Sequence, residues 1–309
     1  MAGWSNGSAQ DSITPILQLS DLIPMQIIEN ISGMRRWSEA ERRQNRRIAF
    51  VPTMGFLHEG HLCLVRAARK RGDRVVVSIF VNPTQFSPGE DFAAYPRDFA
   101  RDHELLENEK VDVLFHPAVA EIYPAGGQTH VEVEKLSLPL CGASRPGHFR
   151  GVATVVTKLF NIVLPHVAIF GEKDFQQLQI IRQLARDLSM DVEIVGHPIV
   201  READGLAMSS RNSYLAPEER RAALCLSQSL CKAERLFRRG ETYAPAIVKL
   251  VLSEIAKQPL AVVEYVKVCD AQTLDELEEI NRPAVLALAV RIGRARLIDN
   301  KTLLQQKGW

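Results

Sequence analysis

His58 and His61 lie three residues apart in the stretch PTMGFLHEGH, residues 52–61. At that spacing both rings can face one ligand, provided the turn between them is helical. Gly55 and Gly60 would let the backbone approach the ligand with no Cβ in the way. Two imidazoles beside a helix N-terminus can donate to phosphate oxygens as negative charge builds in a displacement. Two other readings of the pair stay open. The histidines could cap and pack a strand–helix turn. They could also bind a metal, although H-E-G-H lacks the i, i+4 spacing of H-E-x-x-H and no third ligand is evident.

Other polar loops offer related chemistry. Gly171, Glu172, Lys173 and Asp174 precede Phe175-Gln176-Gln177. Lys173 supplies a point charge for phosphate, and Asp174 can accept from ribose hydroxyls or cap a helix. A capped helix with solvated charges explains the same text. Met208, Ser209, Ser210 and Arg211 place two hydroxyls and a guanidinium in one loop, a set suited to a polyphosphate. Asn82, Pro83, Thr84 and Gln85 form a fourth loop, and Gln85 with Gln177 could read a small polar acid. A turn-forming Asn and a solvated Gln are the plainer alternative. The stretch RPGHFRG, residues 145–151, adds two arginines or simply starts a helix.

These loops need a frame. Short β-branched runs at 47–54, 74–82, 111–117, 166–171 and 192–200 alternate with helical patterns at 60–71, 97–109, 150–163 and 174–188. Near-continuous Val/Ile strands alternating with helices imply a parallel sheet covered on both faces. The expected fold is α/β, a Rossmann-like doubly wound parallel sheet with a smaller α+β C-terminal domain. Such sheets bind ligands at the carboxyl ends of their strands, where all of these loops begin. The expected boundary divides residues 1–200 from 201–309. Residues 201–217 are polar and lack either period, so they read as a loop. Helices at 217–239 and 243–257 and strands at 262–269 and 284–292 follow. Pro217, Glu218 and Glu219 suit the start of the first of these helices.

Composition limits the function classes. The 309 residues are 46% hydrophobic and 24% charged, ordinary for a globular chain, which excludes disordered and fibrous classes. The net charge of +1 gives no global pull toward nucleic acid or an anionic membrane, so any anion site must be local. No apolar run approaches the ~18 residues that span a bilayer. The five cysteines include no C-x-x-C pair, and the odd count fits a reducing compartment. The first thirty residues lack Lys and Arg, so no signal or transit peptide is expected and a cytoplasmic location is.

Taken together, PTMGFLHEGH, FVNPTQF, RPGHFRGV, GEKDFQQL and MSSRN, in that order, resemble the H-x-G-H nucleotidyltransferases with a later K-M-S-K-S-like loop. The chain is most similar within them to the pantoate–β-alanine ligases, over roughly residues 24–309. The H-x-G-H motif is intact, and MSSRN is the form this family uses. The resemblance implies an ATP-dependent ligase, with Mg²⁺, that adenylates pantoate, releases pyrophosphate and then joins the acyl group to β-alanine. It implies that Met54, Gly55, Phe56, Leu57, His58, Glu59, Gly60 and His61 hold ATP. Gly171, Glu172, Lys173, Asp174, Val200, Met208, Ser209, Ser210 and Arg211 would hold it too. His61, His58 and Lys173 would be catalytic, with His61 either a proton donor or an electrostatic stabiliser. Gln85, Gln177 and Asn82 would bind pantoate or β-alanine. The Mg²⁺ ligands are not evident, and a homodimer is expected. Another adenylate-forming enzyme and a non-catalytic nucleotide-binding protein are the alternatives. A tRNA ligase is disfavoured, because a +1 chain has no basic arm.

Overall fold

The computed structural model describes residues 24–87, 90 and 92–303. Most of the stretch behind the targeting expectation, residues 1–23, lies outside the described residues.

Six parallel strands form the larger sheet: β1 Gln26–Ile28, β2 Ile48–Thr53, β3 Arg74–Ile79, β4 Val113–Phe115, β5 Val167–Gly171 and β6 Glu193–His197. Their order is β1-β4-β3-β2-β5-β6. Alternate residues of β2 point to opposite faces, and both faces are apolar. Ile48 and Phe50 join Met34, Phe149 and Phe160, whereas Ala49 and Val51 join Val65, Ala68 and Leu106. Helices α1 Ile31–Arg43, α6 His148–Val163 and α7 Phe175–Asp187 cover the first face; α2 Glu59–Arg69 and α3 Phe99–Asn108 cover the second. Short α4 Val119–Ile122 and α5 Cys141–Ser144 lie between α3 and α6 in the chain.

The strand order reverses between β2 and β5, where an open α/β sheet binds its ligand. The two strands pair only through Ala49–Val167 and Phe50–Ala168. Beyond those residues β2 continues its ladder with β3 as far as Thr53, while β5 continues with β6 as far as Gly171. The carboxyl ends of β2 and β5 therefore border a crevice between the two ladders.

A second sheet follows helices α8 Pro217–Arg238 and α9 Ala244–Ile255. It is antiparallel, in the order β7 Ala261–Asp270, β8 Ala284–Ile292 and β9 Ala295–Thr302. Val285 and Ala287 of β8 and Cys269 of β7 pack into the core cluster that holds Phe50 and Phe160. The doubly wound fold and the smaller α+β unit are thus both present.

Three elements differ from the sequence expectation. The edge strand β1 and the helix α1 were not expected. A three-residue strand carries too little period to detect, and α1 holds Gly33 and four arginines. The Asn30 side chain nevertheless caps α1, accepting from Gly33 N–H at 2.7 Å. Strand β9 was also not expected, because ARLIDNKT mixes charges with few β-branched residues. Its pairing along all of β8 supplies what propensity does not. Residues 201–217 form a loop, as polarity and lack of period predict, but one with internal order. Arg201 bridges Ala207, Met208 N–H donates to Val200 O at 3.0 Å, and a 3-10 turn covers Ser210–Tyr214.

Candidate active site at the reversal of strand order

The loop after β2 is held from beneath by α3. Both carboxylate oxygens of buried Asp102 accept main-chain N–H groups, from Phe56 at 2.6 Å and Leu57 at 2.7 Å. Arg101 Nη1 donates to Leu57 O at 2.8 Å. Burial pushes the Asp102 carboxyl up, against the downward pull of those N–H bonds. The turn also needs Gly55, whose φ is +80°, in the left-handed region that glycine adopts without strain.

This turn delivers His58 to the position just before α2 and His61 to its first turn. Their ring centroids are 4.0 Å apart, with the planes tilted by 35°. Burial pushes His61 well below the usual histidine range, helped by the charges of His58 and Lys173. Burial, followed by Lys173, lowers His58 to about 4. Both rings are therefore neutral at pH 7, and each presents an N–H. Glu59, between them, is exposed and ion-paired with Arg66, away from the crevice.

Across the crevice, β5 ends in Gly171 and a 3-10 turn covers Glu172–Asp174 before α7. Lys173 Nζ is 3.7 Å from Asp174 Oδ2. The turn is held by a residue the sequence analysis missed. Asn300 on β9 donates from Nδ2 to Glu172 O at 2.9 Å and Lys173 O at 3.0 Å. Asp299 beside it forms a two-pronged pair with Arg201 at 2.7 and 3.0 Å. No local pattern marks Asn300, since it acts across 127 residues of chain. The two neighbouring glutamines separate. Gln176 is buried, donating to Leu136 O and Pro139 O and accepting from Cys141 N–H. Gln177 lines the crevice.

The 3-10 turn Ser210–Tyr214 closes a third side. Ser210 Oγ donates to Phe56 O at 3.3 Å, joining this segment to the H-x-G-H loop. Arg211 lies over the Tyr95 ring at 5.7 Å.

The fourth side is the loop after β3, whose 3-10 turn is Pro83–Gln85. Asn82 is buried and internally bonded. Its Nδ2 donates to Gln85 Oε1 and Gly151 O, and its Oδ1 accepts from Thr84 and Tyr123. Gln85 Nε2 approaches Met54 Sδ at 3.1 Å. The sequence RPGHFRG reaches this loop as a clamp. Nδ1–H of His148 donates to Gln85 O at 2.8 Å, and His148 Nε2 accepts from Arg145 at 3.0 Å. Arg145 pairs with both oxygens of Glu90 at 2.7 Å. A Cβ on Gly151 would lie 2.3 Å from Thr84 O, so only glycine permits this approach.

These four sides enclose a cleft of about 240 Å³. It brings together Met54, His58, Gly60 and His61 with Lys173, Asp174 and Gly171. Val200, Met208, Ser209, Ser210, Arg211, Asn82, Gln85 and Gln177 line it as well. Gly55, Phe56, Leu57, Glu59 and Glu172 do not; apart from Glu59, they belong to the turns that carry the lining residues. Among the described residues, no group of three or more His, Cys, Asp or Glu is arranged to hold a metal ion. Magnesium prefers oxygen ligands in octahedral geometry; the cleft lining offers one carboxylate, Asp174, beside Lys173, Arg211 and two imidazoles, which is not a magnesium ligand set by itself.

The family model for pantoate-beta-alanine ligase matches residues 26–302. The pantothenate synthetase of Thermotoga neapolitana is 58% identical over 279 residues, covering 90% of this chain and all of that one. That of Geobacter sulfurreducens is 55% identical over 283 residues, covering 92% of this chain and all of that one. The crystal structure of pantothenate synthetase from Thermus thermophilus superposes with a TM-score of 0.86 at 43% identity, covering 91% and 100% of the two chains. The Francisella tularensis pantoate-beta-alanine ligase, solved with β,γ ATP and β-alanine, superposes at 0.73 with 35% identity, covering 90% and 98%. Matched over nearly its whole described length, the chain belongs to the pantoate–β-alanine ligase family.

Proposed function

We propose that this cleft condenses pantoate with β-alanine at the expense of ATP, giving pantothenate, AMP and pyrophosphate through pantoyl adenylate. The pantoate carboxylate attacks the α-phosphorus, and the bond to the bridging oxygen breaks to release pyrophosphate. The β-alanine amine then attacks the acyl carbon, its surplus proton passes to water, and AMP leaves with the bond pair. A carboxylate is a poor acyl donor at pH 7, and the adenylate supplies the leaving group.

One observation carries this reading. Two imidazoles at the start of α2 share one cleft with Lys173, with Gln85 and Gln177 in its walls. His61 and His58 then donate N–H to the phosphate oxygens, where charge grows in the transition state, and Lys173 adds its positive charge. Burial disfavours the charged form of both rings before the nucleotide binds, which fits neutral donors at this position. Met54, Gly60, Gly171, Asp174, Val200 and Met208 to Arg211 bind the nucleotide, while the turns through Gly55, Phe56, Leu57, Glu59 and Glu172 shape its seat. Gln85 and Gln177 bind the acid, and Asn82 orients Gln85. Magnesium would be held mainly by ATP phosphates and water rather than by this chain, and would offset phosphate charge.

We take residues 1–200 as the nucleotide- and pantoate-binding domain and 201–309 as the smaller domain that begins with the MSSRN segment. A cytoplasmic homodimer without nucleic-acid partners completes the reading. The five free cysteines support the reducing location and the +1 charge the lack of a nucleic-acid partner, while the homodimer rests on the family resemblance alone. Among the described residues no helix is long and apolar enough to cross a membrane. The test is ATP–pyrophosphate exchange across a panel of small carboxylic acids. Exchange should need pantoate and not β-alanine; exchange without acid, or only with both substrates, overturns the two-step reading.

A further inference from the structure

A second cavity of about 630 Å³ adjoins the cleft and shares a wall with it that includes Arg145, His148, Lys173, Asp174 and Arg211. Its far wall is the hairpin of β8 and β9, which contributes Arg291, Arg294 and Arg296. None of these three lines the nucleotide cleft.

Their charge is only partly compensated. Arg291 and Arg296 share one carboxylate, Glu264, at 3.0 and 2.8 Å. Arg296 is further committed to Ser144 Oγ at 3.1 Å. Arg294 has no carboxylate within 4.0 Å among the described residues; its guanidinium lies over the Tyr214 ring at 5.0 Å. In the wall shared with the cleft, by contrast, Arg145 is paired with Glu90 and Lys173 lies near Asp174. The hairpin thus presents three guanidiniums to this cavity against the single carboxylate of Glu264. The hairpin is also fixed. Its Gly293 has φ +54° and lies so near Glu219 of α8 that a Cβ there would come within 2.0 Å of Oε1. Tyr214, under Arg294, ends the 3-10 turn that carries Ser210 and Arg211. The guanidinium is thus preorganised beside the phosphate-binding segment.

We propose that Arg294 and Arg291 form a subsite for inorganic pyrophosphate after it has left the α-phosphorus, so that the leaving group moves from the shared wall into this cavity. The inference rests on the ligase reading, which names pyrophosphate as a product. Charge-assisted bonds from a planar fork suit a diphosphate.

The test uses the full chain with Arg294→Gln, which touches no carboxylate, and the double variant Arg291→Gln/Arg294→Gln. Binding of magnesium pyrophosphate is measured by calorimetry, and KM for ATP by initial rates. The single variant should weaken pyrophosphate roughly tenfold, the scale of one charged hydrogen-bonding group, and the double variant more. Arg294→Lys should recover part of the loss. KM for ATP should change by less than about threefold, a shift under ~1 kcal/mol. Unchanged pyrophosphate affinity in both variants overturns the proposal. So does a rise in KM for ATP in step with the pyrophosphate loss, which would place the arginines on the triphosphate instead. Pantoate-dependent exchange at saturating pyrophosphate should persist in both variants. Its absence from the unaltered chain would instead remove the ligase reading.

Discussion

The main-chain N–H of His58 donates to Nδ1 of His61 at 3.3 Å. A nitrogen that accepts carries no proton, so the neutral His61 ring holds its proton on Nε2. That bond, made within the first turn of α2, leaves Nε2–H as the group His61 offers to a ligand.

His61→Ala should therefore lower kcat by on the order of 10²–10³, the usual effect of removing one preorganised donor at a developing oxyanion. ATP binding should weaken less, because α2 still directs its free N–H groups at the phosphates. A folded variant with near-normal pantoate-dependent exchange would remove His61 from the mechanism.

The histidines also set the acid limb of stability. His58 and His148 are both lowered to about 4, chiefly by burial, from 6.5. Between those values the unfolded chain binds protons that the folded one does not, so stability falls as pH drops from 6.5 toward 4. Each group accounts for at most about 3 kcal/mol of that loss. Urea midpoints at pH 7 and 4.5 read it. His148→Gln should flatten the slope; an unaltered slope would mean His148 is not buried neutral.

Gln85→Ala should raise KM for pantoate while KM for ATP stays near normal. Losing an amide partner to a bound polar substrate costs about 1–3 kcal/mol, or roughly five- to 150-fold. Equal losses for both substrates would take Gln85 out of the acid pocket.

Asn300 gives a sharper contrast, since its amide feeds two carbonyls of the Lys173 turn. Asn300→Ala leaves both without that donor and should destabilise the fold by about 1–3 kcal/mol while raising KM for ATP. Asn300→Asp should be worse at pH 7, because a carboxylate then faces two carbonyl oxygens. If Asp were tolerated better than Ala, Asn300 would not be holding that turn.

The 201–217 segment should be ordered without substrate. The amides of Glu202 and Met208 donate to Leu206 O at 2.8 Å and Val200 O at 3.0 Å, so both should be protected in hydrogen exchange before ATP is added. Protection that appears only with ATP would mean that these bonds do not hold the loop before the nucleotide binds.

Sequence alone determined the strands β2, β3 and β5, because burial on both faces demands unbroken apolar runs that can be read locally. It also picked out the loops that the structure brings to one cleft, since strand ends, Gly and clustered polar residues are local features too. Tertiary structure decided what holds those loops. Asp102 under Leu57, His148 on the Gln85 carbonyl and Asn300 on the Lys173 turn act across 45, 63 and 127 residues of chain. Each is a single polar side chain whose partner is a main-chain group, and main-chain groups are the same at every position, so no sequence pattern records the pairing. The edge strand β1 and the strand β9 were decided the same way. Their hydrogen bonds come from β4 and β8, and their own residues carry too little preference to announce a strand.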